Sequence, residues 1–312
     1  MHPIARCFRF ALCLALLAGL SGCGEEPPRL QMPALPQPSE VTPPSPETLA
    51  AAEYYKRVQA SYIGQGMLRT DGGGADTPFG ARTLAENFAR IVFFDEFADR
   101  GGRLVPVSTQ NRLHRWQMPV RLAVEFGPSV PTEQRVKDTA HIASYLDRLS
   151  RLTGLPMRIS PDNANHTVLI QNSGDKPFAA RRIQEIAPSV SLAVLLSVAE
   201  MEADTYCTVF AFTPGRSATY NRAITVIRAE LPERMRQSCI QEELAQSLGL
   251  VNDSPKARPS IFNDNQEFAF LTKQDELMLR MLYDARLKPG MSLREAWPTI
   301  ETMAQELVGG DS

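Results

Sequence analysis

The stretch "EELAQSLGLVND", residues 242–253, closes a run in which Ile240, Leu244 and Leu248 recur every four residues. That spacing lays three apolar side chains along one stripe of an α-helix. Pro232 stands where a first helical turn accepts proline, because the missing N–H would have no partner within the helix there. A helix from Glu233 to about Leu248 follows. Glu242 and Gln246 lie one turn apart on its other side, close enough to hydrogen-bond each other. On pattern alone they form a solvated face or the lining of a cleft.

Moving outward, the two hydrophobic periods alternate along the chain. Thr83 with Glu86 has the spacing of a capping box, and Leu84, Phe88, Ile91 and Val92 recur helically, so residues 83–97 are predicted to form an amphipathic helix. Val120, Leu122, Val124 and Phe126 alternate with Arg121, Ala123 and Glu125, the mark of a half-buried strand. A long helix is predicted from Glu133 to Thr153, with Ile142, Tyr145, Leu146, Leu149 and Leu152 on one stripe and Gly154 and Pro156 ending it. Residues 167–171, 206–212 and 223–229 read as further strands. Thr272 with Asp275, and Ser292 with Glu295, start two closing helices. This order predicts an α/β (α+β) sandwich with a mixed sheet, a long helix after the first strand, a late motif helix and C-terminal helices.

The N-terminus sets the expected address. Arg6 and Arg9 precede an uncharged apolar run, residues 10–20, that leads into Leu20-Ser21-Gly22-Cys23. The run is too short for a hydrocarbon core that needs about 20 apolar residues, so residues 1–22 read as a cleaved lipoprotein signal peptide. An ordinary secretory peptide with an incidental cysteine is the competing reading. Acyl chains on Cys23, palmitate among them, would each contribute about 0.8 kcal/mol per buried methylene to membrane anchoring. Gly24 after that cysteine fits sorting to the outer membrane, facing the periplasm.

Eight of the 23 residues from Gly24 to Pro46 are proline. Such a segment buries no core, and at about 3.1 Å per residue it is a tether reaching up to ~70 Å. A proline-motif ligand for a partner is the weaker alternative. Past Cys23 only Cys207 and Cys239 remain, and in an oxidising periplasm they most simply form a disulfide, against two buried thiols or a metal pair. With 33 basic and 35 acidic residues the chain has net charge −2, or −4 once Arg6 and Arg9 leave with the signal (31 against 35). No basic stretch suggests nucleic acid.

The register of residues 242–253 resembles the zinc-protease motif of the metzincins, H-E-x-x-H-x-x-G-x-x-H, with every histidine replaced. The resemblance places Glu242, Gln246 and Asn252 at the three ligand positions, Glu243 at the general-base position, Gly249 at the turn, and Asp253 beside the third ligand. Ser260-Ile261-Phe262-Asn263 resembles the methionine turn, with Phe262 for methionine. "LTKQDELMLRMLYD", residues 271–284, is similar to the C-terminal helix of matrix-protease-type domains, including its Leu282-Tyr283 pair. Taken whole, the chain is identified as a member of the proteobacterial lipoprotein family labelled domain of unknown function 2927. That identification rests on "LAENFARIVFFDEF", "RWQMPVRLAVEFGPSV", "YLDRLSRLTGLP" and the run from "CIQEELAQSLGLVND" through "RPSIFND", and it covers roughly residues 80–290. Membership implies an envelope lipoprotein and no particular activity.

Zinc favours imidazole and thiolate, and His2, His114, His141 and His166 all lie outside the motif, so neither zinc nor another cofactor is expected. An oxygen-rich set suits calcium, magnesium or manganese better, but amide carbonyls add no charge. Glu243 could act as a base beside other carboxylates. Gly72-Gly73-Gly74 lacks the lysine of a phosphate loop and reads as a flexible loop. Ser247, His141 and His166 belong to no recognisable triad. The expected organisation is signal peptide 1–22, lipidated cysteine and tether 23–47, helical extension 48–112, zincin-like domain 113–290 and C-terminal helix 291–312. The expected function is non-catalytic binding of a peptide or protein partner through Glu242, Gln246, Asn252 and Asp253. The alternatives are a hydrolase based on Glu243, with a non-zinc metal or none, and a structural spacer of the cell envelope.

Overall fold

The computed structural model describes residues 41–101 and 103–309; the signal, Cys23 and the tether as far as residue 40 lie outside them. Helix α1 (Pro46–Gly64) starts inside the proline-rich segment, where the Ser45 side chain accepts from the Thr48 N–H and Pro46 fills the first turn. Helix α2 (Ala81–Val92) corrects the expected helix 83–97 at both ends. Gly80 is its N-cap, without a side-chain bond, and the expected capping-box acid Glu86 instead accepts from Arg82 at 2.9 Å and Arg90 at 3.2 Å. Two arginines one turn away on either side outbid a backbone N–H for the carboxylate. Past Val92 the chain turns into β1 (Phe94–Asp99), which pairs antiparallel with β2 (Leu104–Gln110). The extension between residues 48 and 112 is therefore part hairpin.

The short strand β3 (Arg115–Trp116) leads to β4 (Val120–Phe126), α3 (Thr132–Thr153), β5 (Met157–Ile159) and β6 (His166–Gln171). On α3 the expected stripe is buried at Ile142, Tyr145, Leu146 and Leu149, and each such burial contributes about 1.5–3 kcal/mol. Gly154 closes the helix at φ +70°, the left-handed cap that glycine adopts without strain. Two helices follow that the sequence reading had not distinguished, α4 (Lys176–Ile186) and α5 (Leu192–Ala199). Next come β7 (Cys207–Phe212), β8 (Thr219–Tyr220), β9 (Arg222–Arg228), α6 (Glu233–Gln246), α7 (Lys273–Tyr283) and α8 (Leu293–Val308). Both expected capping boxes, Thr272 with Asp275 and Ser292 with Glu295, are formed.

Five strands make one mixed sheet in the order β5-β4-β6-β9-β7, parallel except for β7, which runs antiparallel along β9 at the edge. β9 shows how the sheet is covered. Ala223 and Ile227 join the core that holds α3, α6 and α7, while Ile224 and Val226 join a second cluster with Ala179, Ile183 and Val198 of α4 and α5. A strand buried on both faces loses the alternation that marks a half-buried one. The main core runs from Tyr55 to Ala304, so residues on both sides of positions 112 and 290 share it.

Candidate functional site

Helix α6 stops at Gln246, and its final carbonyls find side-chain donors. The Trp116 indole N–H donates to the Ser247 carbonyl at 2.8 Å, and the Tyr283 hydroxyl donates to the Leu248 carbonyl at 3.0 Å. Such bonds satisfy the acceptors that every helix end leaves open. Gly249 then takes φ +122°, and a Cβ placed there would overlap the carbonyl oxygen of His114. Backbone thus passes backbone at a point where no side chain fits.

Beyond this turn the expected third ligand position does something else. The Asn252 side-chain amide donates to the Arg90 carbonyl at 2.9 Å and its backbone N–H to the Ile91 carbonyl at 3.1 Å, so Asn252 holds the end of α2. Asp253, its neighbour, turns the other way and accepts from the Gln246 amide at 3.3 Å. Of the two readings of Glu242 and Gln246, a solvated face or the lining of a cleft, the second agrees with the structure: Gln246 is 7% exposed, Glu242 is half-buried, and α3, β7 and β9 pack against α6. Phe262 is fully buried at the expected turn. That turn is gathered by Asp275, which accepts from the Ser260 hydroxyl at 2.5 Å and from the Ile261 N–H at 3.1 Å.

Glu242, Glu243, Gln246 and Asp253 line one cavity of about 760 Å³, joined by Asp264. The whole length of β7 also lines it, as do Val194 and Leu196 of α5 and the ring pair His114 and Tyr220, stacked at 5.8 Å. A disulfide joins Cys207 of β7 to Cys239 of α6, tying two sides of the cavity together. The loop between α5 and β7 is held from behind. The Arg228 guanidinium donates to the carbonyls of Met201, Glu202 and Thr205 at 2.6–2.8 Å, and the Tyr55 hydroxyl of α1 donates to the Ala203 carbonyl at 3.0 Å. The sequence reading missed Asp264, His114, β7 as a lining strand and this loop. Only the left-handed turn at Asp264, φ +59°, follows a segment it had singled out.

The remaining candidates fall elsewhere. Among the described residues no group of three His, Cys, Asp or Glu side chains is arranged to hold a metal ion. His166 is buried in β6 with Nε2 3.0 Å from the Thr225 hydroxyl, and burial lowers its pKa to about 3. The Ser247 hydroxyl donates to the Leu244 carbonyl. Gly72 and Gly73 take φ of +70° and +87° in the loop between α1 and α2.

Desolvation in the cavity, followed by the charge of Asp264, raises the Asp253 carboxyl to about 7. Between about pH 4 and pH 7 the folded chain therefore keeps a proton that the unfolded chain has released. Stability falls as pH rises through that window, and the penalty is complete above it. Asp253→Asn removes the charge and keeps an acceptor for Gln246. Its stability relative to the parent is expected to rise by on the order of 1 kcal/mol between pH 5 and pH 8, discounted because the carboxyl is only half-buried. Urea denaturation at both pH values checks this, and a difference that stays constant or shrinks contradicts it.

A family model described as "Protein of unknown function (DUF2927)" matches residues 81–302, from the first residue of α2 into α8 and across the whole five-stranded sheet. Searches of curated proteins and of solved structures return no match. With a match that spans the sheet, the motif helix and the cavity lining from α5 to Gln266, the chain belongs to the DUF2927 family.

Proposed function

We propose that this protein is an envelope lipoprotein, anchored through Cys23, whose zincin-like domain binds a peptide or protein partner without cleaving it. The observation that carries the reading is the meeting of β7 and α6 in one cavity. β7 is the antiparallel edge of the sheet and lines the cavity along its length, while α6 contributes Glu242, Glu243 and Gln246. An edge strand offers a row of backbone N–H and C=O groups to which an extended peptide adds as a further strand, with pockets for alternate side chains giving selectivity. The volume is ample for several side chains, since ligand pockets run from about 300 to 1,000 Å³.

The reading without cleavage is supported by where the motif's polar groups are engaged. Gln246 donates to Asp253, and Asn252 caps α2, so two of the three ligand positions of the metzincin register serve internal hydrogen bonds. The test uses full-length protein in detergent, prepared without chelators. Its metal content is measured, and a panel of labelled extended peptides is followed by fluorescence polarisation and by mass spectrometry. Peptides bound and left intact by both the parent and Glu243→Gln are the expected result. Stoichiometric metal with cleavage that disappears in Glu243→Gln would instead establish the hydrolase, to which the buried cavity position of Glu243 lends its only support. Neither binding nor cleavage would leave the spacer reading. Labelled palmitate incorporated by the parent and absent from Cys23→Ser checks the anchor.

A further inference from the structure

The two edges of the five-stranded sheet are built differently. At one edge β5 has only three residues, Met157–Ile159, and the middle one is the exposed Arg158. Shortness and an exposed charge are both means by which an edge avoids pairing with another chain. β7, at the other edge, has neither. Its six residues, "CTVFAF", carry no charge and no proline, and its register with β9 runs from Cys207 to Phe212 without a bulge. Such an edge is a template for a further strand.

The ladder fixes which groups are open. The Arg228 N–H donates to the Tyr206 carbonyl at 3.2 Å and the Asn221 N–H to the Phe212 carbonyl at 3.0 Å, so the backbone groups of the even-numbered residues face β9. Alternation then turns the N–H and C=O of Cys207, Val209 and Ala211 to the open side. Side chains alternate through the sheet. Phe210 and Phe212 pack against the cluster of α4 and α5, whereas Cys207 and Ala211 pack against the main core on the α6 side. The two sides of the cavity differ in the same sense. On the α5 side stand Val194 and Leu196, with Leu192 one turn before Leu196 and 63% exposed. On the α6 side stand polar groups, Gln246 and Asp253 among them.

We infer that the occupant of the cavity is an amphipathic β-strand, with apolar side chains at every second position seated against Phe210, Phe212 and Leu196 and polar side chains between them turned to α6. The inference rests on the reading of the cavity as a peptide site and adds the pattern that the site selects. Main-chain bonds to Cys207, Val209 and Ala211 are available to any sequence. A strand has a side-chain period of two, so only strict alternation puts every apolar group on the α5 wall. β7 lies between walls formed by α5 and α6, and these admit a single strand; a second copy would have to bring its own walls in with its β7.

The test uses the full-length chain in detergent and two fluorescent ten-residue peptides of one composition, blocked at both ends: Thr and Val in alternation, or five Val followed by five Thr. The alternating peptide is expected to bind at least tenfold more tightly. Leu196→Ser should reduce that preference to less than threefold, and the peptide comparison stands by itself should this variant not fold. Two further versions of the alternating peptide carry N-methyl groups on every Thr or on every Val. In a strand antiparallel to β7 the residues bonded to Val209 share its α6 side, so the N–H groups at stake are those of Thr; in a parallel strand they are those of Val. One methylated version should therefore lose binding and the other keep it. Equal loss in both, or loss in neither, overturns the inference, as does equal binding of the alternating and block peptides, which leaves the peptide site standing. A dimer of the chain alone, seen by light scattering and dissociated by the alternating peptide, gives the edge to a second copy and also overturns it. No binding of any peptide overturns the peptide site itself.

Discussion

Gly249→Ala is expected to destabilise the fold by about 3–5 kcal/mol, enough to leave much of the protein unfolded at 37 °C. Two independent costs add. The residue sits at φ +122°, where a Cβ is strained by on the order of 1–3 kcal/mol, and the new methyl lands on the His114 carbonyl and within 3.1 Å of Leu282. The peptide at His114 cannot step aside, because the residues after it are pinned. The Arg115 guanidinium donates to the carbonyls of Leu282, Asp284 and Leu287, and Trp116 is fully buried with its N–H on the Ser247 carbonyl. Overpacking a site that cannot relax adds roughly 1–3 kcal/mol. Gly154→Ala is the control. It too has positive φ, +70°, but open space around the Cβ position, so its cost should be about 1–2 kcal/mol. Urea denaturation of both variants decides the matter, and equal losses would remove steric contact as the reason for glycine at 249.

The contrast between these glycines also marks how far the sequence was legible. Gly154 follows a clean apolar stripe, and α3 could be read almost to the residue; the capping boxes at Thr272 and Ser292 were equally local. Elements whose signals overlap were not. Residues 94–97 continue the helical spacing of α2 as well as they begin an alternation, and only pairing with β2 decides for a strand. Helix α5, "LAVLLSVA", is apolar all round and carries no period to read. At the cavity, Glu242, Glu243 and Gln246 could be grouped because helical spacing is local. Whether Asn252 or Asp253 follows them inward depends on the backbone after Gly249, and neighbouring residues in an extended segment point to opposite sides. Glu202, Asp204 and Asp264 reach the cavity only through the tertiary fold, so no spacing in the chain announces them.

Reducing the disulfide, or replacing Cys239 by serine, is expected to cost about 3–4 kcal/mol on chain-entropy grounds, because the bond closes a loop with a sequence separation of 32. The loss should not be spread evenly. Cys207 opens β7, an edge strand held in the sheet by a single neighbour, and Cys239 lies within α6, which packs in the main core. Without the bond, β7 keeps its ladder to β9 and the support of Arg228 behind the preceding loop, but its tie to the helix across the cavity is gone. Segments with few remaining contacts open at lower free energy than the global transition. Hydrogen exchange should therefore rise first in residues 201–212 after reduction, while β4 and β6, buried in the centre of the sheet, stay protected up to the global unfolding free energy. Affinity for a peptide added along β7 should fall with the same treatment, since part of the binding energy would then order the strand. Uniform acceleration of exchange across the sheet, or unchanged peptide affinity in Cys239→Ser, would mean that the disulfide stabilises the fold as a whole without organising the cavity.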